Sequence, residues 1–418
     1  MNSRILLLTG AALVAWSNPA LAKVGDPVEI GGGVTVDPQL NLNLRYESVS
    51  EDNAKEDADA LTLRARFGLE FKAGDGFSLL AEGEATGALI ADYNDTLPGN
   101  GNEPYSTVAD PENVELNRLQ VGYMKDGNGI TIGRQRINLD DQRFVGAVGW
   151  RQNEQTFDAV RGQAKLGPVK LDATYAISQR TIFGVDSPNG HFDGDLVLLN
   201  ATAELKPVTV TVFAYLVDYD TRLAFSSDTF GFRALGTFTL VESVKLNAVA
   251  SYASQSDAGS NPNSYSADFF NGELGVAVSG FNLKGGYEYL GADEDATCLG
   301  AGCGAFQTPL ATLHAFNGWA DLFLTTPFVA GSYGGIQDYY ASIAYSFPGV
   351  TAIPGLNATL VYHSFDSAFG SMDYGSEVNA SLGFRLGPVG MLVKYANYQA
   401  DGFGVDTEKL WLQAGISF

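Results

Sequence analysis

The sequence predicts an all-β chain forming a single transmembrane antiparallel β-barrel of 18 strands, with short periplasmic turns and long extracellular loops. Three observations carry this expectation. Apolar and polar side chains alternate over many segments of about ten residues, the links between segments are short and long by turns, and the N-terminus is of the export type.

The first element is the leader. "MNSRILLLTGAALVAWSNPALA" has one positive residue, Arg4, an apolar run from Ile5 to Trp16, and a small-residue site at Ala20-Leu21-Ala22. That is the layout of a cleaved secretory signal, and its apolar core is too short to span a membrane. Residues 1–22 are expected to be a signal peptide and 23–418 one outer-membrane β-barrel. Cleavage would leave 396 residues, and because Arg4 is the only charge removed the net charge would pass from −23 to −24. No later apolar run reaches 18 residues, so no transmembrane helix is expected.

The strands follow from a period of two. In "QLNLNLRYES", Leu40, Leu42, Leu44 and Tyr46 share one face, and Asn41, Asn43, Arg45 and Glu47 the other. In "LTLRARFGLEFKA", Leu61, Leu63, Ala65, Phe67, Leu69 and Phe71 oppose Thr62, Arg64, Arg66, Gly68, Glu70 and Lys72. Late in the chain Val378, Ala380, Leu382, Phe384 and Leu386 oppose Glu377, Asn379, Ser381 and Arg385. A soluble sandwich also alternates, so the connections decide. Short links ("AGDG" at 73–76, "KDGNG" at 125–129, "LGP" at 166–168, "KP" at 206–207, "SG" at 279–280, "GP" at 387–388) alternate with long polar loops. Those loops include "ESVSEDNAKEDADA", "DYNDTLPGNGNEPYSTVADPEN" and the segment from about 293 to 335. Strand starts are expected near residues 35, 59, 77, 112, 129, 157, 169, 194, 209, 229, 244, 267, 281, 336, 356, 373, 389 and 407. Sixteen strands is the fallback, because residues 267–347 admit a second parsing. The chain ends in "KLWLQAGISF", with Leu410, Leu412, Ala414, Ile416 and Phe418 on one face. A terminal aromatic strand resembles the signal read by the outer-membrane assembly machinery, which would act through Phe418. In lipid every strand N–H and C=O needs a partner, and only a closed sheet supplies them all.

Composition narrows the partners. Tyr and Phe total 44 against four Met, and Gly numbers 49. The strong acidity argues against nucleic acid, so the expected surroundings are outer-membrane lipid and lipopolysaccharide, with the chain a monomer. The only cysteines, Cys298 and Cys303 in "CLGAGC", are either a disulfide closing one small loop or two free thiols. No cofactor or metal site is expected: there is no Cys/His cluster, and the acidic loops lack EF-hand spacing.

Parity then assigns side chains to lipid or lumen. Arg45, Arg64, Arg66 and Arg118 are expected inside, as is Arg161 in "AVRGQAKL". Arg134 and Arg136 in "ITIGRQR" are placed on one face, and a lipid position at mid-depth would cost roughly 2–4 kcal/mol each, so they too are expected to face the lumen or lie near a rim. Ten of the 14 arginines lie between residues 45 and 180, concentrating positive charge on one wall. Glu82 and Glu84 share a lumen face as opposing carboxylates, with Glu70 and Glu115 as further candidates. Arg143 and Arg151 sit in "DDQRFVGAVGWRQNEQ", expected at the outer mouth as a constriction. Two readings of the arginines compete: ion-pair ladders that brace the wall, or an electropositive filter that passes anions. The acids Glu47, Glu51, Asp52, Glu56, Asp57, Asp59, Asp92, Asp95, Glu103, Asp110 and Glu112 are assigned to external loops, beyond the ~8 Å screening length from the lumen.

Three stretches resemble the alginate-export family of outer-membrane porins. They are "GRQRINLDDQRFVGAVGWRQNEQTFDAV", then "FQTPLATLHAFNGWADLFLTTP" with "GGIQDYYASIAYSF", and "YHSFDSAFGSMDYGSEVNASLGFRL" running into "KYANYQADGFGVDTEKLWLQ". The resemblance implies 18 strands and an arginine-lined conduit for an anionic polysaccharide such as alginate, the basic lining falling on Arg134, Arg136 and Arg161 with Arg45, Arg64, Arg66 and Arg118 beside them. After residue 180 only Arg222, Arg233 and Arg385 remain, which departs from a fully basic lining and counts against export of a polyuronate more than against an anion-preferring pore. The alternatives are an uptake porin of other selectivity, a structural or adhesive barrel, and an outer-membrane hydrolase. His191, His314 and His363 come with no triad-like spacing, so no enzyme is expected. The long loop, with Phe316 and Trp319, is expected to fold inward or cap the mouth.

Overall fold

Each strand of the chain can satisfy its backbone only by pairing on both sides, and the fold does this by closing the sheet. The computed structural model describes residues 25–298 and 303–418. The leader, residues 1–22, lies outside the described residues. Eighteen antiparallel strands form the wall: β1 (Val34–Glu51), β2 (Ala58–Ala73), β3 (Phe77–Asp92), β4 (Asn113–Lys125), β5 (Asn128–Gln135), β6 (Thr156–Leu166), β7 (Val169–Arg180), β8 (His191–Leu205) and β9 (Val208–Tyr219) make the first half. β10 (Ser227–Val241), β11 (Val244–Asp257), β12 (Ser266–Val278), β13 (Phe281–Leu290), β14 (Ile336–Ser346), β15 (Asn357–Asp366), β16 (Asp373–Leu386), β17 (Val389–Ala400) and β18 (Thr407–Ser417) make the second. Each pairs with its neighbours in sequence, and β18 closes on β1 in a register from Asn41↔Ser417 to Glu51↔Thr407. Eighteen strands, not the fallback sixteen, is the outcome. The ambiguous stretch resolves into β12, β13 and β14 around a long excursion.

The links at one end are two or three residues long, except 347–356, and those at the other are longer, 93–112, 136–155 and 291–335 above all. By the asymmetry of such barrels the first end is periplasmic and the second extracellular. Outward positions carry exposed apolar side chains, among them Leu63, Phe67, Val121, Ile132, Leu199 and Leu274, as a lipid-facing belt demands. Aromatic pairs edge the belt near the periplasmic turns, Phe77 on Tyr123 at 4.8 Å and Phe281 on Tyr345 at 4.2 Å. At the opposite end outward tyrosines bond outward aspartates: Tyr46 to Asp59, Tyr175 to Asp195, and Tyr252 to Asp268 at 2.8 Å. Phe418 hydrogen-bonds Leu40 through its backbone, N–H to O at 2.9 Å.

The packed core lies inside the barrel rather than between layers. Ile137, Leu139 and Val145 of one loop and Phe306, Leu310, Ala320 and Phe323 of another pack against inward residues such as Phe157, Leu196, Phe269 and Tyr398. Cys298 and Cys303 are joined by a disulfide.

Candidate functional site

Two loops meet inside the lumen. The first, 136–155, leaves the wall where β5 ends at Gln135, earlier than the sequence suggests, and enters the barrel instead of ringing its mouth. The second, 291–335, also folds inward. They interlock through backbone and side chains. Gly146 N–H donates to Leu310 O (2.9 Å), Thr312 N–H to Gln142 O (3.0 Å), Val148 N–H to Thr312 Oγ1 (3.1 Å) and Gln155 Nε2 to Leu310 O (2.8 Å). A Cβ on Gly146 would stand 2.2 Å from Thr312 Oγ1, so only glycine permits this approach.

The arginines pin this plug to the wall. Arg143 spans to β13, its Nε on Glu288 at 3.0 Å, and donates to Thr308 (3.0 Å) and Asn317 (3.1 Å) of the second loop. Arg151 bridges Glu47 of β1 (2.9 Å) and Asp321 of the second loop (3.0 Å). Arg143 and Arg151 thus hold both loops at once, inside the lumen rather than at its mouth. Gln152, between the arms, donates to Thr62 Oγ1 (2.8 Å) and accepts from Asn43 (2.9 Å). The second loop is also fixed to β16, where Glu377 accepts the backbone N–H groups of Trp319 and of Ala320 (3.0 Å).

Of the residues singled out in the sequence, Arg45, Arg64, Arg66, Arg118, Arg161, Glu82 and Glu84 take the inward register. Arg45 pairs with Asp110 (3.3 Å) and lies over Trp150. Arg66 bonds Glu84 and Glu154 (3.0 Å), Arg118 holds Glu82 through two contacts at 2.8 and 2.6 Å, and Arg161 grips Asp172 (2.6 Å). Arg136 holds Glu154 with contacts of 2.9 and 2.5 Å. Of the further carboxylates, Glu115 faces Arg180 at 3.6 Å, whereas Glu70 meets Lys72 at 3.1 Å and Gln39 at 3.4 Å and no arginine among the described residues. Arg64 donates to the Gln152 carbonyl (3.3 Å) and to Asn41, and has no carboxylate at ion-pair distance among the described residues.

Two expectations are corrected. Arg134 and Arg136 do not share a face. Arg134 continues the outward register of Ile130 and Ile132, pairs with Asp158 (2.8 and 3.0 Å), and donates to Leu116 O (3.0 Å). The cause is the short β5: Leu119↔Arg134 is its last pair with β4, so the β4 backbone beyond lacks a ladder partner there. Arg134 caps Leu116 instead, and Asp158 neutralises it. The second correction concerns Glu47 and Asp110, assigned to the solvated rim. Both are fully buried in the lumen as partners of Arg45 and Arg151.

Sequence reasoning missed a cluster on the β17–β18 side. Lys394 of β17 lies 3.8 Å from the Trp319 ring, 4.1 Å from that of Trp150 and 5.6 Å from that of Trp411. Its Nζ is 2.6 Å from His314 Nε2, and His314 Nδ1 is 2.8 Å from Asp321. Strand parity alone could have found Lys394, which lies on the same face as the buried Ala396 and Tyr398. Its partners come from loops that parity does not reach.

Below the plug lies a cavity of about 540 Å³, roofed by Arg143, Phe316 and Trp319 and walled by inward residues of β10–β15. Its cations are matched: Arg233 by Asp141, Lys284 by Glu273 (2.8 Å).

These features meet known proteins at two levels. Residues 34–222 match the alginate-export family model. That span runs through β1–β9 and contains the first inward loop with every arginine of the braced wall, so the family resemblance is borne out there. Among solved structures, OpdL of Pseudomonas aeruginosa is 17% identical with a TM-score of 0.66, covering 92% of this chain and 98% of that one. OccAB4 of Acinetobacter baumannii is 15% identical with a TM-score of 0.69 at the same coverage, and OccK8 (OprE) of Pseudomonas aeruginosa is 14% identical with a TM-score of 0.67, also at that coverage. No curated protein sequence matches the chain. At this identity the neighbours establish the fold, a closed 18-strand barrel of the outer-membrane porin type. The protein is a bacterial outer-membrane barrel.

Proposed function

We propose that the barrel is a diffusion channel for small anionic solutes. The supporting observation is the charge balance on the wall facing the first loop. There five guanidinium groups (Arg45, Arg66, Arg118, Arg136, Arg151) are each paired with a carboxylate (Glu47, Glu82, Glu84, Asp110, Glu154, and Asp321 of the second loop), whereas Arg64 has none at ion-pair distance among the described residues. Most of the arginines therefore brace, and selectivity rests on the remainder. Passage of a polyuronate is the second reading, favoured by the family match. The docked loops oppose it, because a polymer needs an unobstructed bore.

A transport role rather than catalysis is inferred from the same geometry. His314 and His363 are engaged by Asp321 and Asp338 (2.8 and 2.9 Å) as structural ties, and His191 stands exposed at the start of β8. One chain closes the wall by itself, in keeping with a monomer set in outer-membrane lipid and lipopolysaccharide. Reversal potentials in planar bilayers under a salt gradient test the proposal. Anion preference is expected, weakened severalfold in Arg64→Gln. Cation preference in the wild type, or an unchanged ratio in the variant, would remove it.

A further inference from the structure

With Lys394 in its ammonium form, His314 can make both of its contacts in one protonation state only. Its Nε2 lies 2.6 Å from the Lys394 ammonium, which has no lone pair, so Nε2 must accept. Its Nδ1 lies 2.8 Å from Asp321, a carboxylate, so Nδ1–H must donate. The neutral Nδ1–H ring satisfies both. A second proton on Nε2 would set donor against donor and put a cation beside an ammonium.

The three residues come from parts that have to separate if the lumen is to clear. Lys394 belongs to the wall, and His314 and Asp321 to the second loop. Trp150 of the first loop stacks on the imidazole at 4.3 Å and a 4° interplanar angle. Trp411 of β18 meets the same ring edge-on at 5.6 Å. The surrounding charges leave no room for another cation. Asp321 already answers His314, Arg151 (3.0 Å) and Lys409 (3.7 Å). Arg45 lies on Trp150, and the remaining carboxylates are committed: Glu47 to Arg151, Asp110 to Arg45, and Glu377 to the backbone of 319–320.

We propose that Lys394, His314 and Asp321 form a proton-released latch that holds both inward loops docked at neutral pH and frees them on acidification. Burial first, and Lys394 beside it, push the His314 value down to about 3 against the pull of Asp321, in the same direction as the geometry. The sign follows. A free imidazole titrates near 6.5, so the undocked loop binds a proton that the docked loop refuses. Docking is complete above that value and weakens as pH falls below it. One proton is linked to release, so the undocked fraction rises tenfold per pH unit.

The tryptophans supply the readout. The rings of Trp150, Trp319 and Trp411 all lie within 5.6 Å of the Lys394 Nζ, and the fourth tryptophan, Trp16, falls in the expected leader. Intrinsic fluorescence and single-channel conductance of the refolded full chain are measured together from pH 7.5 to 4. The latch requires both to change with a slope near one proton, and His314→Gln, which cannot titrate, to lose that slope. A wild type flat in both signals, or a variant with the wild-type slope, overturns the proposal. If His314→Gln does not refold, Lys394→Gln serves instead. Removing the ammonium lets the docked imidazole keep a second proton, so the pH dependence must flatten below one proton, and an unchanged slope overturns the latch.

Discussion

At the scale of single residues, a charge in this barrel is defined by its partner more than by its sign. Arg134 shows the point most sharply, because it belongs to the wall and not to the solute path. Arg134→Leu leaves Asp158 uncompensated on the outer side and Leu116 O uncapped. A destabilisation of about 3 kcal/mol is expected, read as a lowered thermal unfolding midpoint in detergent, with ion selectivity unchanged. The double variant with Asp158→Leu recovers much of the loss, since no charge then remains in lipid. A selectivity change in Arg134→Leu would place the residue in the lumen after all. The sequence could not show this, because Arg134 and Arg136 read as one face only while β5 continues. It stops between them, after Gly133 takes a φ of +115° and Gln135 turns inward.

At the scale of elements, the strands were legible and the loops only partly so. Period-two alternation placed every strand start within about three residues, because one face must meet lipid and the other water. Parity then put Arg45, Arg64, Arg66, Arg118, Arg161, Glu82 and Glu84 inside. It had no purchase on the loops, whose partners are remote in sequence: Arg143 meets Asn317 and Arg151 meets Asp321, each across some 170 positions. A β-bulge between Glu82 and Gly83 is equally silent in the pattern, yet it turns Asn117 and Arg118 both inward, onto Glu82. The junction of the two loops makes its own prediction. Gly146→Val drives a side chain into Thr312 and Gln142 and costs about 1–3 kcal/mol of loop docking. Frequent flickering to larger conductance is expected in single-channel records, with the barrel's heat-resistant migration on gels unchanged. Quiet records at wild-type conductance would show that the loops do not meet at this glycine.

At the scale of the molecule, an acidic chain holds a basic wall by facing most of its acids elsewhere and pairing the rest one by one. The alternation and the link lengths announced the barrel, and the family match, residues 34–222, covers the strands that carry most of the arginines. The plug is a property of neither half alone, since it joins a loop of the first half to one of the second and both to β1, β13, β16 and β17. Conduction must therefore be set by the docked loops and not by the width of the barrel. The most direct test is single-channel conductance of the full chain beside a variant in which residues 308–323 are replaced by a short Gly-Ser linker. Small discrete steps are expected from the wild type and severalfold larger ones from the variant, whereas steps of equal size in the two would contradict the account.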